Sequence, residues 1–265
     1  MTELNFELSQ TESITHKMKV IVPVATDIYN KPTMAEVNAV AASDMIFDAE
    51  NLTTGTKFIE SRWAEYQDTG NIMSIAQATD KSGYSGMISD CLGEPGVGVC
   101  RELVETPIVG GFDLPCATIN LLADKYTIVT VITSVIPMIT ELAENLSTSA
   151  NLTSVRQVGI PVNQLNNIPK LEKALIQQGY EAVTTEGALA MLMGCTGMLG
   201  VRENVETNLN ARLEQDYPGK YPRIPVIDPA QNAVTLLQAM VRMGITQSRV
   251  TYETPPGLPP VRAML

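Results

Sequence analysis

Histidine is almost missing from this sequence, and cysteine is rare. His16 is the only histidine among 265 residues, and the four cysteines form no Cys-x-x-Cys pair. Hydrolases that use a Ser-His-Asp or Cys-His arrangement, and the common histidine-based metal sites, therefore lack a residue that they need. We expect no bound metal ion and no histidine-activated nucleophile.

Long apolar runs and basic segments are missing as well. No run approaches the ~20 apolar residues of a transmembrane helix. Residues 1–17 carry Glu3, Glu7 and Glu12 and lack the basic start and apolar centre of a signal peptide. The net charge of −11 argues against nucleic acid or an anionic membrane as a partner. We therefore expect a cytoplasmic protein whose cysteines are free thiols.

The remaining composition is that of a globular protein, and its pattern predicts an α/β fold. Hydrophobic residues make up 45% of the chain and charged residues 18%, which is ample for a buried core. Strand patterns alternate with helical patterns, and this alternation favours parallel sheets. The series runs from about residue 18 to 110 and again from about 120 to 228. We therefore predict two similar lobes that face each other across a cleft.

The two series predict individual elements and lobe boundaries. The predicted strands cover residues 18–25, 44–48, the run ending at Cys91, 107–110, 126–133, 154–162, 188–194 and 224–228. The predicted helices cover residues 34–43, 71–81, 98–104, 134–143, 169–178, 201–215 and 229–243, with residues 51–62 as a loop and 111–125 unassigned. The predicted domains are a flexible extension at 1–17, lobe 1 at 18–110 plus 225–265, and lobe 2 at 111–224. The C-terminal tail, rich in proline, is predicted to lie extended on the surface (Pro255, Pro256, Pro259 and Pro260).

Two cysteines stand at corresponding positions of the two series. The segments are ISDCLGEPG around Cys91 and MLMGCTGM around Cys195. In each, an apolar run stops at the cysteine and a glycine-rich turn follows, as at the carboxyl end of a buried parallel strand, where α/β folds bind ligands. We therefore predict one site built from two halves. The other two cysteines, Cys100 and Cys116, are predicted to be small buried hydrophobes.

Two facing thiols suit the removal of a proton from one face of a carbon and its return on the other. One cysteine must be a thiolate and the other a thiol, and their roles reverse with the substrate's hand. Without a histidine, helix N-termini and backbone N–H groups are expected to lower the thiol pKa. Nearby glycines allow such close backbone approach: Gly93, Gly96, Gly194 and Gly197. A neighbouring carbonyl must acidify the carbon, and no cofactor is expected. This is the pattern of a cofactor-independent racemase.

Several segments resemble the hydantoin racemases of the aspartate/glutamate racemase superfamily. They are CLGEPG from Cys91, REL from Arg101 with TPIVG from Thr106, IES from Ile59, SVRQVGIP from Ser154, GCTGM from Gly194 and PVIDP from Pro225. The resemblance implies two pseudo-symmetric α/β lobes, each a mostly parallel sheet flanked by helices, with the site between them. It implies Cys91 and Cys195 as the acid–base pair, a small-molecule substrate and a homo-oligomer. The implied substrate-binding positions are Val24, Thr26, Leu92, Gly93, Glu94, Asp113, Thr196 and Gly197.

The recognition loop departs from the family's pattern. Hydantoin racemases usually carry Asn-Pro-Asn-Thr/Ser after the first strand, whereas this chain reads Val22-Pro-Val-Ala-Thr26. Near Asp113 the chain also departs, with GGFDL where the family has Gly-x-x-Glu-Ala. Polar recognition must therefore move to Thr26, to backbone groups of residues 24–26 or to the other lobe. The resemblance implies a 5-substituted hydantoin or allantoin as substrate, and from the apolar loop we expect a preference for a hydantoin with an apolar group and poor conversion of allantoin.

Two other functions are compatible with the same residues. A lyase or cis–trans isomerase of this superfamily would use a cysteine as nucleophile or proton donor. A binding protein without catalytic activity is the third interpretation, because a fold does not determine function. Exchange of the substrate α-proton with deuterated solvent separates racemase from binding protein, and release of carbon dioxide or conversion of maleate to fumarate would indicate the second class.

Overall fold

The computed structural model describes residues 15–146 and 149–257, which form alternating strands and helices. In chain order these are β1 (His16–Val22), α1 (Asn30–Val40), β2 (Met45–Asn51), α2 (Arg62–Asp80), β3 (Gly86–Ser89), α3 (Val97–Leu103), β4 (Ile108–Val109), α4 (Asp113–Leu122), β5 (Tyr126–Thr130), α5 (Ile136–Glu144), β6 (Leu152–Gln157), α6 (Ile168–Glu181), β7 (Met191–Met193), α7 (Arg202–Asp216), β8 (Val226–Ile227) and α8 (Pro229–Arg242). Each helix within the described residues is too short or too polar to span a lipid bilayer.

The strands form two four-stranded sheets of identical topology. Their orders are β2-β1-β3-β4 and β6-β5-β7-β8, and every pairing is parallel. All residues of β3, β5 and β7 are buried, because helices cover both faces of a parallel sheet. The predicted α/β fold with two similar lobes is confirmed.

The two lobes exchange their last helices. α8 follows the second sheet but packs on the first lobe, where Ala233, Val234 and Leu237 join the core with β1 residues. α4 follows the first sheet and places Cys116 and Ile119 in the core of the second lobe. β8 nevertheless pairs with β7 in the second sheet. The predicted division at residue 225 therefore differs from the structure, in which the chain leaves the second sheet only after β8.

Helix starts account for most differences from the predicted elements. α2 begins at Arg62 rather than 71, because the Ser61 side chain accepts a hydrogen bond from the Ala64 N–H (3.2 Å) and caps the helix. The aromatic residues of its first turns, Trp63 and Tyr66, are exposed. These turns therefore lack the buried apolar stripe by which a helix is recognised in a sequence. α1 likewise begins before its predicted start, and the strand predicted at 154–162 is β6, which ends at Gln157.

The terminal predictions are only partly within the described residues. His16 and Lys17 are the first residues of β1 rather than of an extension, since His16 pairs with Met45 of β2. Residues 1–14 lie outside the described part of the chain. Pro255 and Pro256 are exposed and belong to no helix or strand, whereas Pro259 and Pro260 lie outside the described residues.

Candidate functional site

The carboxyl ends of the two sheets meet at a small cavity of about 60 Å³. Cys91 lies two residues beyond β3 and Cys195 two residues beyond β7, and both line this cavity. We call it the thiol cavity. Its other lining residues are Val22, Pro23, Val24, Tyr29, Thr33, Phe58, Ile59, Asp90, Val162, Thr196 and Gly197. The structure thus brings the two predicted halves of the site together.

Corresponding backbone hydrogen bonds hold the two strand ends. The Asp90 N–H donates to the Ile21 carbonyl (2.8 Å), and the Gly194 N–H donates to the Val129 carbonyl (2.7 Å). Each bond ties the residue before a cysteine to the central strand of its own sheet. The duplicated sequence pattern therefore corresponds to duplicated local geometry.

Burial makes both thiols weak acids. Both cysteines are partly open to the cavity, but the surrounding protein shields their sulfur atoms from bulk solvent and raises the pKa of Cys195 to about 12. The pKa of the Cys91 thiol is also raised, first by burial and then by negative charge at Cys195. The Gly197 N–H lies 3.4 Å from the Cys195 sulfur and lowers its pKa, as the Gly93 N–H does for Cys91. The expected lowering of the thiol pKa is wrong, because burial outweighs these N–H groups.

Asp90 is a buried acid in the wall of the thiol cavity. Its Oδ2 accepts a hydrogen bond from the Thr33 hydroxyl (3.0 Å), and its carbonyl accepts one from the Thr196 hydroxyl of the other lobe (3.0 Å). Burial raises the pKa of Asp90 to about 6. Sequence reasoning missed this residue, although a signal is present: Asp90 stands where the second series has Gly194.

Asp228 is a second buried acid, located at the start of α8. Its Oδ1 accepts a hydrogen bond from the Gln231 N–H (2.9 Å) and so caps the helix. Burial, together with the nearby charges of Glu36 and Asp90, raises the pKa of Asp228 to about 7. Neither at this site nor elsewhere in the described residues do three His, Cys, Asp or Glu side chains lie close enough together to hold a metal ion.

Replacing Asp228 by asparagine is expected to reduce the loss of stability at high pH. The pKa of Asp228 in the folded protein, about 7, lies above the ordinary value of 3.8. The contribution of Asp228 to the free energy of unfolding is therefore fully present below about pH 4 and is lost as the pH rises through 7. An asparagine side chain would keep the oxygen that caps α8 but could not ionise. We expect Asp228→Asn to raise Tm at pH 8 by several degrees and to have little effect at pH 4.5.

Calorimetry of wild type and Asp228→Asn from pH 4.5 to 8 measures this difference directly. Asp124→Asn is the matched control, since Asp124 is exposed. A Tm difference between Asp228→Asn and wild type that does not change with pH would contradict the prediction.

Five of the ten predicted site residues line the thiol cavity: Val24, Cys91, Cys195, Thr196 and Gly197. The other five do not line it. Gly93 is buried beside the Cys91 thiol, Leu92 packs into the core of the second lobe, and Thr26 lies half-buried in the loop after β1.

Glu94 and Asp113 hold the start of α4 rather than the cavity. Glu94 Oε1 accepts hydrogen bonds from the N–H groups of Phe112 (2.7 Å) and Asp113 (2.9 Å). The Asp113 carboxylate lies 3.4 Å from Arg101 Nη1. Burial, with the nearby charge of Asp113, raises the pKa of Glu94 to about 7. The contacts of these two acids are therefore structural, and the substrate-binding role predicted for them has no support in their positions.

The loop before α2 supplies cavity residues that the sequence analysis did not assign. Phe58 and Ile59 line the cavity from the first lobe, opposite Val162 from the second. Glu60 Oε1 accepts a hydrogen bond from the Val162 N–H (2.6 Å), and the Glu60 carbonyl accepts one from the Ser134 hydroxyl (2.9 Å). The loop is thus fixed across both lobes. The IES segment quoted for the resemblance is a signal for it.

The comparisons with known proteins agree on one family. A family model described as Asp/Glu/Hydantoin racemase matches residues 19–237. A hydantoin racemase of Pseudomonas sp. (strain NS671) is 26% identical over 241 residues, which cover 90% of this chain and 92% of that protein. A hydantoin racemase of Paenarthrobacter aurescens is 24% identical over 243 residues, covering 90% and 97%.

A solved structure shows the same fold over nearly the whole chain. The allantoin racemase from Klebsiella pneumoniae superposes with a TM-score of 0.83 at 21% identity and covers 92% of this chain and 95% of its own. At this level of identity the likeness establishes the arrangement of strands and helices.

Proposed function

The chain belongs to the Asp/Glu/hydantoin racemase family, and we propose that it racemises a 5-substituted hydantoin by means of Cys91 and Cys195. It is an isomerase of the racemase class. The observation that carries the two-cysteine mechanism is that the strand ends of both lobes deliver a thiol to one cavity. Neither lobe alone could place acid and base on opposite faces of a carbon.

In the proposed reaction the thiolate of one cysteine removes the proton from carbon 5 of the hydantoin. The electron pair of the broken C–H bond moves toward the adjacent carbonyl and forms an enolate. The thiol of the other cysteine then gives its proton to the opposite face of the carbon. Carbon 5 is inverted, the proton count is unchanged, and the two sulfur atoms have exchanged roles.

The electrostatics of the thiol pair support a single negative charge. Negative charge at Cys195 raises the pKa of Cys91, so ionisation of one thiol opposes ionisation of the other. One thiolate and one thiol is the state that the reaction requires. The raised pKa values also make each thiolate a strong base, which suits the abstraction of a proton from carbon. The cost is that little thiolate forms at neutral pH.

The wall formed by Val22, Pro23 and Val24 supports an apolar substituent. These residues line the thiol cavity. The hydantoin racemases that this chain resembles carry two asparagines in the same loop. Thr26, one expected replacement for the lost amides, does not reach the cavity lining. The loop after β1 therefore offers the cavity an apolar surface.

We expect the wild-type protein to racemise 5-benzyl- and 5-isobutylhydantoin with a higher kcat/KM than allantoin, whose ureido group is polar. An apolar wall gains only ~1–3 kcal/mol per methylene-sized contact but leaves a polar group without a partner. Val24→Asn restores an amide and should shift the preference toward allantoin by about tenfold. Val24→Ile, which stays apolar, is the control.

Polarimetry of single enantiomers measures these rates, and α-deuterium incorporation checks the chemistry. If allantoin is the best wild-type substrate, the interpretation of the loop is wrong. If no hydantoin loses optical activity or exchanges its α-proton, the proposed function itself is wrong. Release of carbon dioxide from a malonate would indicate a lyase instead.

A further inference from the structure

A second cavity adjoins the thiol cavity. It has a volume of about 380 Å³ and shares Tyr29, Val162 and Gly197 with the thiol cavity. We call it the outer cavity. Its remaining lining is mostly apolar and consists of Ile28, Pro32, Asn163, Leu165, Asn166, Ile168 and Leu199. Both lobes therefore contribute to it, as they do to the thiol cavity.

The thiol cavity alone is too small for a substituted hydantoin. Pockets for drug-sized ligands have volumes of ~300–1,000 Å³, whereas the thiol cavity has about 60 Å³ and the outer cavity about 380 Å³. A substrate whose carbon 5 lies between the two sulfur atoms must therefore extend beyond the thiol cavity. The outer cavity is the adjoining space, and its apolar lining suits a hydrocarbon substituent.

Tyr29 lies at the junction of the two cavities with an unused polar group. Its hydroxyl oxygen is buried and has no hydrogen-bond partner among the described residues. Buried hydroxyl groups are nearly always paired, so an unpaired one requires an explanation. Burial raises the pKa of Tyr29, and negative charge at Cys195 and Glu60 raises it further. The hydroxyl is therefore a neutral hydrogen-bond donor, on a residue that lines both cavities.

We propose that Tyr29 is the residue that determines substrate specificity at this site. Its hydroxyl donates a hydrogen bond to a ring carbonyl of the substrate, and the substituent at carbon 5 extends past its ring into the outer cavity. This assignment rests on the proposed function. It makes Tyr29 the residue that recognises the polar ring of the substrate. Hydantoin racemases usually carry asparagines in the loop after β1, where this chain carries valines.

Tyr29→Phe removes only the hydroxyl and tests the hydrogen bond. Binding of racemic 5-benzylhydantoin is measured by titration calorimetry, because a racemic mixture undergoes no net conversion. We expect a Kd about tenfold higher than that of wild type, with a comparable loss of kcat/KM, as for a hydrogen bond of ordinary strength. Tyr66→Phe, at an exposed tyrosine of α2, is the matched control.

Thermal unfolding distinguishes substrate binding from a structural role. Because the Tyr29 hydroxyl has no partner among the described residues, its removal should leave Tm unchanged or raise it. A lower Tm with unaltered Kd would show a structural role and overturn the proposal. So would a Kd and a kcat/KM equal to those of wild type.

Ile168→Trp tests the outer cavity independently of Tyr29. Ile168 lines the outer cavity but not the thiol cavity and is partly exposed at the start of α6. A tryptophan there fills space that a benzyl group would use. We expect the ratio of kcat/KM for 5-benzylhydantoin to that for 5-methylhydantoin to fall about tenfold. An unchanged ratio would overturn the placement of the substituent.

The wild-type measurements separate this proposal from the proposed function. Binding of 5-benzylhydantoin without racemisation would contradict the racemase function, and the Kd of Tyr29→Phe would still support or overturn the role of Tyr29. If wild type neither binds nor racemises any hydantoin, both proposals are overturned.

Discussion

Replacing either Cys91 or Cys195 by serine is expected to lower the rate of racemisation by at least ~10³-fold. Positioned acids and bases contribute ~10²–10⁴-fold to a rate. A serine hydroxyl is a much weaker acid than a thiol, so at neutral pH it does not ionise to form the base that the reaction needs. Each variant would lose the base for one enantiomer and the acid for the other. Polarimetry with both enantiomers of 5-benzylhydantoin measures the loss.

The two serine variants should differ in the partial reaction that remains. With the base on one face intact, a variant can still exchange the α-proton of one enantiomer with deuterated solvent. Cys91→Ser and Cys195→Ser should therefore prefer opposite enantiomers in an NMR exchange experiment. Cys100→Ala, in a buried cysteine of α3 outside the cavity, is the control and should retain racemisation. Full activity in either serine variant would contradict the two-base mechanism.

The duplicated cysteine segments are the part of the site that the sequence could predict. Each segment combines a buried strand, a cysteine and a glycine-rich turn within nine residues, so local pattern is sufficient. The alternation of strands and helices implies parallel strands, so the carboxyl ends of β3 and β7 lie at corresponding edges of their sheets. What the pattern could not give is the distance between the lobes or the charge state of the thiols.

Long-range packing explains what the sequence analysis missed. α4 has no local start signal because its cap is provided by Glu94, nineteen residues before Asp113, and not by a neighbouring residue. Leu92 follows Cys91 directly, yet its side chain enters the core of the other lobe. Tyr29 belongs to a loop without a periodic pattern, and only the folded structure places it where the two cavities adjoin. Each of these depends on contacts between distant segments.

The raised thiol pKa values have the same origin. Glycines and turns near a cysteine are visible in the sequence and predict N–H groups that lower the pKa. Closure of the cavity by Phe58, Ile59 and Val162 is not visible, because it joins a loop of one lobe to a segment of the other. Burial of the thiols in the assembled site outweighs the local N–H groups. The net direction could be found only from the complete site.

The residues that precede the two cysteines show where the internal symmetry ends. Asp90 and Gly194 make the same backbone hydrogen bond to the central strand of their sheets, but only Asp90 carries a side chain. At Gly194 there is no room for one. A Cβ atom would lie 2.6 Å from the Thr130 Cα and 2.7 Å from both the Thr130 nitrogen and the Val129 carbonyl carbon. The close approach of two backbones therefore requires glycine at this position.

Gly194→Ala is expected to lower the free energy of unfolding by about 3 kcal/mol, at the upper end for an overpacked core. The atoms in the way belong to the backbone of β5, where Val129 and Thr130 are fully buried, and they cannot move as the end of a side chain could. The Thr130 hydroxyl also donates to the Gly194 carbonyl (2.8 Å), so any shift would break a buried hydrogen bond and displace Cys195.

Denaturant unfolding of Gly194→Ala beside Gly98→Ala measures this effect. Gly98 is exposed on α3 and its Cβ would meet nothing within 4 Å. An alanine there should stabilise the protein by about 0.5–1 kcal/mol, because alanine favours helix over glycine. The two substitutions add the same methyl group, so their opposite signs would isolate the contact with β5 as the cause. A Gly194→Ala protein as stable as wild type would show that the approach of the Cys195 turn to β5 is looser than the structure indicates.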